Sequence, residues 1–168
     1  MRILTLLMLS MTLLSAHPHC FIDVYPAVGD KMITVTWVLD EMSSQMLLMD
    51  YDRDKDGTFS DAESETVYEE GFVPLRGYDY YTKFYRENSA LKTGSAEDFR
   101  ASVEGFRVRY RFTLSLPEGT TAVRFYDEEN YSAFVVEGRF VREANPGKTY
   151  RVREFEGDMG IGYILELK

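Results

Sequence analysis

Asp52, Asp54, Asp56, Thr58, Ser60 and Glu63 are the residues of this chain whose types and spacing carry the clearest chemistry. They lie in the run Asp52-Arg53-Asp54-Lys55-Asp56-Gly57-Thr58-Phe59-Ser60-Asp61-Ala62-Glu63, at positions one, three, five, seven, nine and twelve. That is the ligand pattern of an EF-hand calcium loop. Ca²⁺ is a hard cation that takes about six to eight oxygens at flexible distances. The three aspartates and Glu63 offer carboxylate oxygens, Glu63 both of its own. Thr58 offers its backbone carbonyl, and Ser60 is short enough to work through a water. Gly57 falls at position six, where the chain turns into a region costly for a residue with a Cβ. The competing description is a solvated acidic turn between two helices. The complete ligand set, with apolar Phe59 at position eight, favours calcium.

A second candidate site is His17 and His19, the two histidines of the chain. Residues 1–16 have the pattern of a secretion signal. Arg2 gives a positive start, Ile3 to Leu14 is apolar apart from Thr5, Ser10 and Thr12, and Ala16 is a small residue at the cleavage point. The stretch is short for a membrane span. His19 before Cys20 is not the small residue that lipid attachment needs. Cleavage after Ala16 would leave His17-Pro18-His19-Cys20 as the new start. An N-terminal His offers its amine and Nδ1 to one ion, and His19 adds a third nitrogen. Such a set suits Cu, Ni, Zn or Co. Pro18 has no amide N–H, which blocks square-planar binding through a deprotonated backbone at that position. The competing description is a solvated terminus whose histidines do nothing. Cys20 is the single cysteine, so no internal disulfide forms; burial as a small apolar residue is its commonest fate.

Catalytic devices are missing. A Ser-His-Asp or Cys-His arrangement would have to borrow the histidines of the terminus. There is no G-x-S-x-G, no P-loop and no dinucleotide fingerprint. Asp127-Glu128-Glu129 reads as a solvated charge run. A copper-oxygenase reading of His17 and His19 lacks a substrate face, so the expectation is a protein that is not an enzyme. The net charge of −9 argues against nucleic acid or an anionic membrane as partner.

The elements that must position these residues follow from periodicity. Phe21 to Ala27 and Met32 to Leu39 alternate as two strands joined at Val28-Gly29-Asp30-Lys31, with Ile33, Val35, Trp37 and Leu39 on one face. Asp40 to Tyr51 reads as the helix entering the loop, with Met42, Met46 and Met49 in one stripe. That stripe is expected in the core, the usual place for Met at helical spacing, rather than as an exposed target groove. Asp61 to Phe72 reads as the exiting helix, ended by Pro74 and Gly77. Strands are then expected at Tyr78 to Arg86, Phe99 to Glu104, Phe106 to Leu116, Thr121 to Asp127, Tyr131 to Val141 and Tyr150 to Glu156, with Ile161 to Leu167 closing an edge. Glu87 to Ala96 reads as a loop. The pattern predicts an α+β fold: a mainly antiparallel β sandwich or curved sheet, with a helix-loop-helix insertion at 40–73 in a single domain, 17–168.

These residues resemble the bacterial periplasmic proteins grouped as family 1007 of the domains of unknown function. The resemblance rests on His17-Pro18-His19-Cys20-Phe21, Val35-Thr36-Trp37 leading to Asp40-Glu41, the loop Asp52 to Glu63, Tyr78-Asp79-Tyr80-Tyr81, and Phe125-Tyr126-Asp127 followed by Tyr131. The chain departs from the family at Cys20, where an ordinary apolar residue is expected, and at Asp127 to Asn130, where an Asp-Pro-type turn is expected. The resemblance implies a periplasmic component of an ABC-type transport system, an accessory of nickel/cobalt-type membrane transporters engaged in transition-metal handling. The combined expectation is a periplasmic or secreted calcium-binding protein with a single EF-hand, an accessory of metal transport. The alternative is transition-metal binding or delivery through His17 and His19. One loop alone means Phe59 must pack on its own β domain or meet a second chain, which leaves a homodimer open. After signal cleavage no membrane insertion is expected.

Overall fold

The computed structural model describes residues 20–129, 132–158 and 160–167. The signal segment, His17 and His19 lie outside them. Two five-stranded sheets face each other. The first contains β1 (Cys20–Val28), β2 (Met32–Leu39), β5 (Glu97–Glu104), β6 (Arg107–Ser115) and β8 (Ser132–Val135), in the order β5-β6-β2-β1-β8. The second contains β3 (Thr82–Arg86), β4 (Ser89–Leu91), β7 (Ala122–Phe125), β9 (Arg151–Gly157) and β10 (Gly160–Glu166), in the order β4-β3-β7-β10-β9. Pairing is antiparallel except between β1 and β8. The expected α+β sandwich is therefore the fold.

Alternation sets the inner face. Ile22 and Val24 of β1, Ile33, Val35 and Trp37 of β2, and Val108, Phe112 and Leu114 of β6 are all buried. Trp37 sits at the centre, its ring 5.0 Å from Phe112 and 5.3 Å from Phe134. Aromatic rings dominate because each removes a large apolar area from water.

The helical insertion runs from β2 in one sheet to β3 in the other. It comprises α1 (Glu41–Tyr51), α2 (Asp61–Val67), a π-helical turn over Tyr68–Phe72 and tight 3₁₀ turns over Val73–Tyr81. Val67 and Phe72 are fully buried, the Phe72 ring packing at a tilt 4.3 Å from Phe99 and 4.9 Å from Phe112. This anchors the insertion on β5 and β6.

Several expectations are corrected. Met42, Met46 and Met49 are 62%, 61% and 85% exposed. The stripe of α1 that packs on the core is the opposite one, buried Ser44 with half-buried Leu47, Leu48 and Tyr51. Leucines and a tyrosine at helical spacing take the inner side, and flexible methionines are left outside. The exiting helix does not run regularly to Phe72, and helical turns continue past Pro74, which needs no amide partner at the start of a new turn. Tyr78 to Tyr81 is not strand. Asp79, Tyr80 and Tyr81 take left-handed φ of 54°, 50° and 49° so that Tyr80 and Tyr81 turn into the core. β4 forms inside the stretch expected as a loop. Tyr131 to Val141 divides into β8 and a short helix α3 (Gly138–Ala144), whose Phe140 and Val141 are buried. Phe140 packs 4.4 Å from Tyr25 on the outer face of β1. β10 is an interior strand, and β9 is the edge. Gly162 allows this, since a Cβ there would strike the Phe155 ring that crosses it.

Candidate functional site: an acidic helix-loop-helix

Asp40 starts α1 as its N-cap. Its Oδ1 accepts the Ser43 amide at 2.8 Å, and its Oδ2 accepts the Phe21 amide at 2.6 Å and the Ser43 hydroxyl at 3.1 Å. These donors outweigh the desolvation that pushes the other way and hold its carboxyl below the usual range. The helix start is thereby tied to β1.

The loop begins as α1 ends. Asp52 is buried, and its two oxygens accept the amides of Asp56 at 3.2 Å and Gly57 at 2.9 Å. Lys55 and Gly57 take left-handed φ of 59° and 83°, which wrap the chain around the Asp52 carboxylate. Gly57 is the residue type suited to that geometry.

At the other end Ser60 caps α2. Its hydroxyl accepts the Glu63 amide at 3.3 Å and donates to Glu63 Oε2 at 2.7 Å, and its own amide donates to the same oxygen at 2.8 Å. Glu63 Oε1 accepts the Arg53 amide at 2.7 Å. Glu63 therefore bridges both ends of the loop. The Ser60 amide and hydroxyl, then the Arg53 amide, hold its carboxyl below the usual range.

Asp52, Asp54 and Glu63 bring carboxylate oxygens within 4.8 Å of one another. Asp54 accepts the Asp56 amide, which favours its charged form, but desolvation and the Asp56 and Glu63 charges outweigh it. Its carboxyl lies above the usual range. Asp56 is outside the trio. Its Oδ1 accepts both the amide and the hydroxyl of Thr58, each at 2.8 Å. Among the described residues no Lys or Arg pairs with Asp52, Asp54 or Glu63. Phe59 is half-buried against the domain's own core, so no second chain is needed to cover it.

Two serines that sequence reasoning passed over fasten the helices to the sandwich. The Val108 amide donates to Ser44 Oγ and the Ala101 amide to Ser64 Oγ, each at 2.9 Å. The signal for Ser44 was its place on the Leu47, Leu48 and Tyr51 stripe. At the start of β1, Cys20 is free and half-buried, and burial pushes its thiol up. Among the described residues no helix is long and apolar enough to cross a membrane.

No solved structure matches the chain. An uncharacterised protein of Haemophilus influenzae is 25% identical over 131 residues, covering 70% of this chain and 62% of that protein. An uncharacterised 15.5 kDa protein in the trpE 3′ region of Spirochaeta aurantia is 30% identical over 94 residues, covering 53% and 67%. The match thus spans less than two thirds of the first relative's length and 67% of the second's. The model of a family described as a protein of unknown function, DUF1007, matches residues 2–151, and the chain belongs to that family.

Proposed function

We propose that the protein is a non-enzymatic calcium-binding accessory of metal transport, exported to the periplasm, in which Ca²⁺ bound by a single EF-hand orders the insertion on its β scaffold. The observation that carries the proposal is the trio Asp52, Asp54 and Glu63, whose oxygens converge within 4.8 Å without a cationic side chain between them. Like charges held so close repel, and a divalent cation removes the repulsion. Asp56 would join by releasing Thr58, whose carbonyl is the next ligand, and Ser60 would act through water. The affinity expected of an extracellular module is about 10⁻⁴–10⁻³ M.

Calorimetric titration of the protein starting at His17 tests the proposal. Calcium should bind the natural chain, while Glu63→Gln and Asp52→Asn should lose it. Equal binding by Glu63→Gln, or no binding at millimolar calcium, would refute the calcium site. Cu²⁺, Ni²⁺, Zn²⁺ or Co²⁺ bound by the calcium-loaded protein and lost in His17→Ala would move the function to His17 and His19.

A further inference from the structure

The insertion carries a feature that calcium does not use. Helix α1 is apolar on two opposite sides. Leu47, Leu48 and Tyr51 face the core, and Met42, Met46 and Met49 face outward at intervals of four and three residues. Exposed methionines in a row are costly to leave in water and adaptable to a partner's shape. The stripe is continued by a groove of about 440 Å³ between Met42 and Arg107, lined also by Asp40 and Glu41. The Arg107 guanidinium is engaged with Asp23 at 3.0 Å and with the carbonyls of Val38 and Leu39, so it brings little free charge to the groove.

Charge selects the occupant. Residues 40–72 contain eleven acidic and two basic residues, a net −9, which is the net charge of the whole chain. The rest of the protein is neutral, and the field is concentrated on the element that bears the stripe. Glu41 and Asp50 are the charged residues of α1, and both are exposed. At about 100° per residue they fall on opposite sides of the Met row, about 14 Å apart along the axis. A second copy would bring another Glu41 and Asp50, and no cation of its own α1, to the rim of the contact. An anionic lipid surface would be repelled.

We infer that the Met42–Met46–Met49 face docks an amphipathic helix of another protein, with an apolar stripe flanked by Lys or Arg. Such a helix buries the methionines, pairs with Glu41 and Asp50, and is drawn in by the field of the insertion.

A labelled Leu/Lys amphipathic peptide of about 18 residues, long enough to cover α1, is the probe, with a Leu/Glu counterpart as control. Fluorescence anisotropy at about 150 mM salt screens the longer-range attraction. The Leu/Lys peptide should bind and the Leu/Glu peptide should not. Met42→Gln/Met46→Gln/Met49→Gln keeps every charge and should weaken binding by about tenfold or more. Glu41→Lys/Asp50→Lys keeps the stripe and should weaken binding by about threefold or more. All five positions are exposed, so both variants should melt as the natural protein does. Unchanged binding by the triple methionine variant would overturn the inference, because attraction to acidic surface alone would then suffice. A natural chain that sediments as a dimer, with the methionine variant monomeric, would overturn it in favour of a second copy.

Discussion

The loop Asp52–Glu63 and the segment Tyr78–Tyr81 both force residues with a Cβ into left-handed backbone, for opposite reasons. In the loop Lys55 does so at φ 59°, held by bonds that all close within the same twelve residues: Asp52 to the Asp56 and Gly57 amides, and Glu63 to Arg53 and Ser60. In the aromatic segment Asp79, Tyr80 and Tyr81 do so in succession. Tyr81 lies 4.9 Å from Phe134 and 6.2 Å from Trp37, and Tyr80 lies 6.0 Å from Phe112, all distant in sequence, besides the nearer Phe72 on which Tyr80 stacks at 5.0 Å. Each such residue costs about 1–2 kcal/mol of backbone energy. The loop meets that cost with local hydrogen bonds and the segment with burial, so one is written in a short stretch of sequence and the other in the whole fold.

The sharpest way to break the contrast is to remove a distant partner. Phe134→Ala should cost about 3–5 kcal/mol, measured by denaturant unfolding, because it empties a fully packed site beside Trp37 and Tyr81. A cost under about 1 kcal/mol would mean that the left-handed run holds itself. Ser44→Ala comes next, at about 1–3 kcal/mol, since it strands the buried Val108 amide that fastens α1 to β6. An unaffected variant would show that the insertion does not rely on this pin. Within the loop, Gly57→Ala should cost about 1 kcal/mol through its φ of 83° and should weaken calcium binding as well. Loss of calcium binding with no change in folding would show that the loop is free of strain until the ion arrives.

The same contrast decides what the sequence could disclose. The loop, the hairpin of β1 and β2 and the alternating strand β6 were legible because their signals are short-range. The Met stripe misled because α1 offers two apolar rows, and periodicity alone does not say which row meets a sheet. Leu47, Leu48 and Tyr51 were equally visible in the sequence; what excluded Met42, Met46 and Met49 was the position of β6. Tyr78 to Tyr81 has the composition of a strand, and rings from elsewhere in the fold, Trp37, Phe112 and Phe134 among them, turn it inward. β10 was expected to close an edge, yet β9 pairs outside it, and Gly162 is what lets the Phe155 ring cross the strand. Helix α3 was hidden by the apolar run that precedes it, although Glu137-Gly138 marked the break.

The smallest effect is a titration, and it separates two carboxylates within the loop itself. Glu63 is held below the usual range by the Ser60 and Arg53 donors, so its contribution to stability is fully present above its unfolded pKa. That contribution is lost as pH falls through the lower, folded value. Asp54 has the opposite sign. Despite the Asp56 amide, desolvation and the Asp56 and Glu63 charges raise its folded pKa, so its ionisation costs stability above that value, and acid relieves the cost. On acidifying the calcium-free protein, protonation of Asp54 should therefore tighten the loop slightly, whereas protonation of Glu63 should release the bridge between its ends. Calcium binding should weaken with either protonation, because the ion needs both carboxylates ionised. Carboxyl-carbon NMR titration of the two residues reads both shifts directly, and Asp54→Asn should remove the stabilising step while leaving that of Glu63. If Glu63 protonates at or above the ordinary glutamate range, its bonds to Ser60 and Arg53 do not govern the loop, and the local encoding argued for this region fails at its central residue.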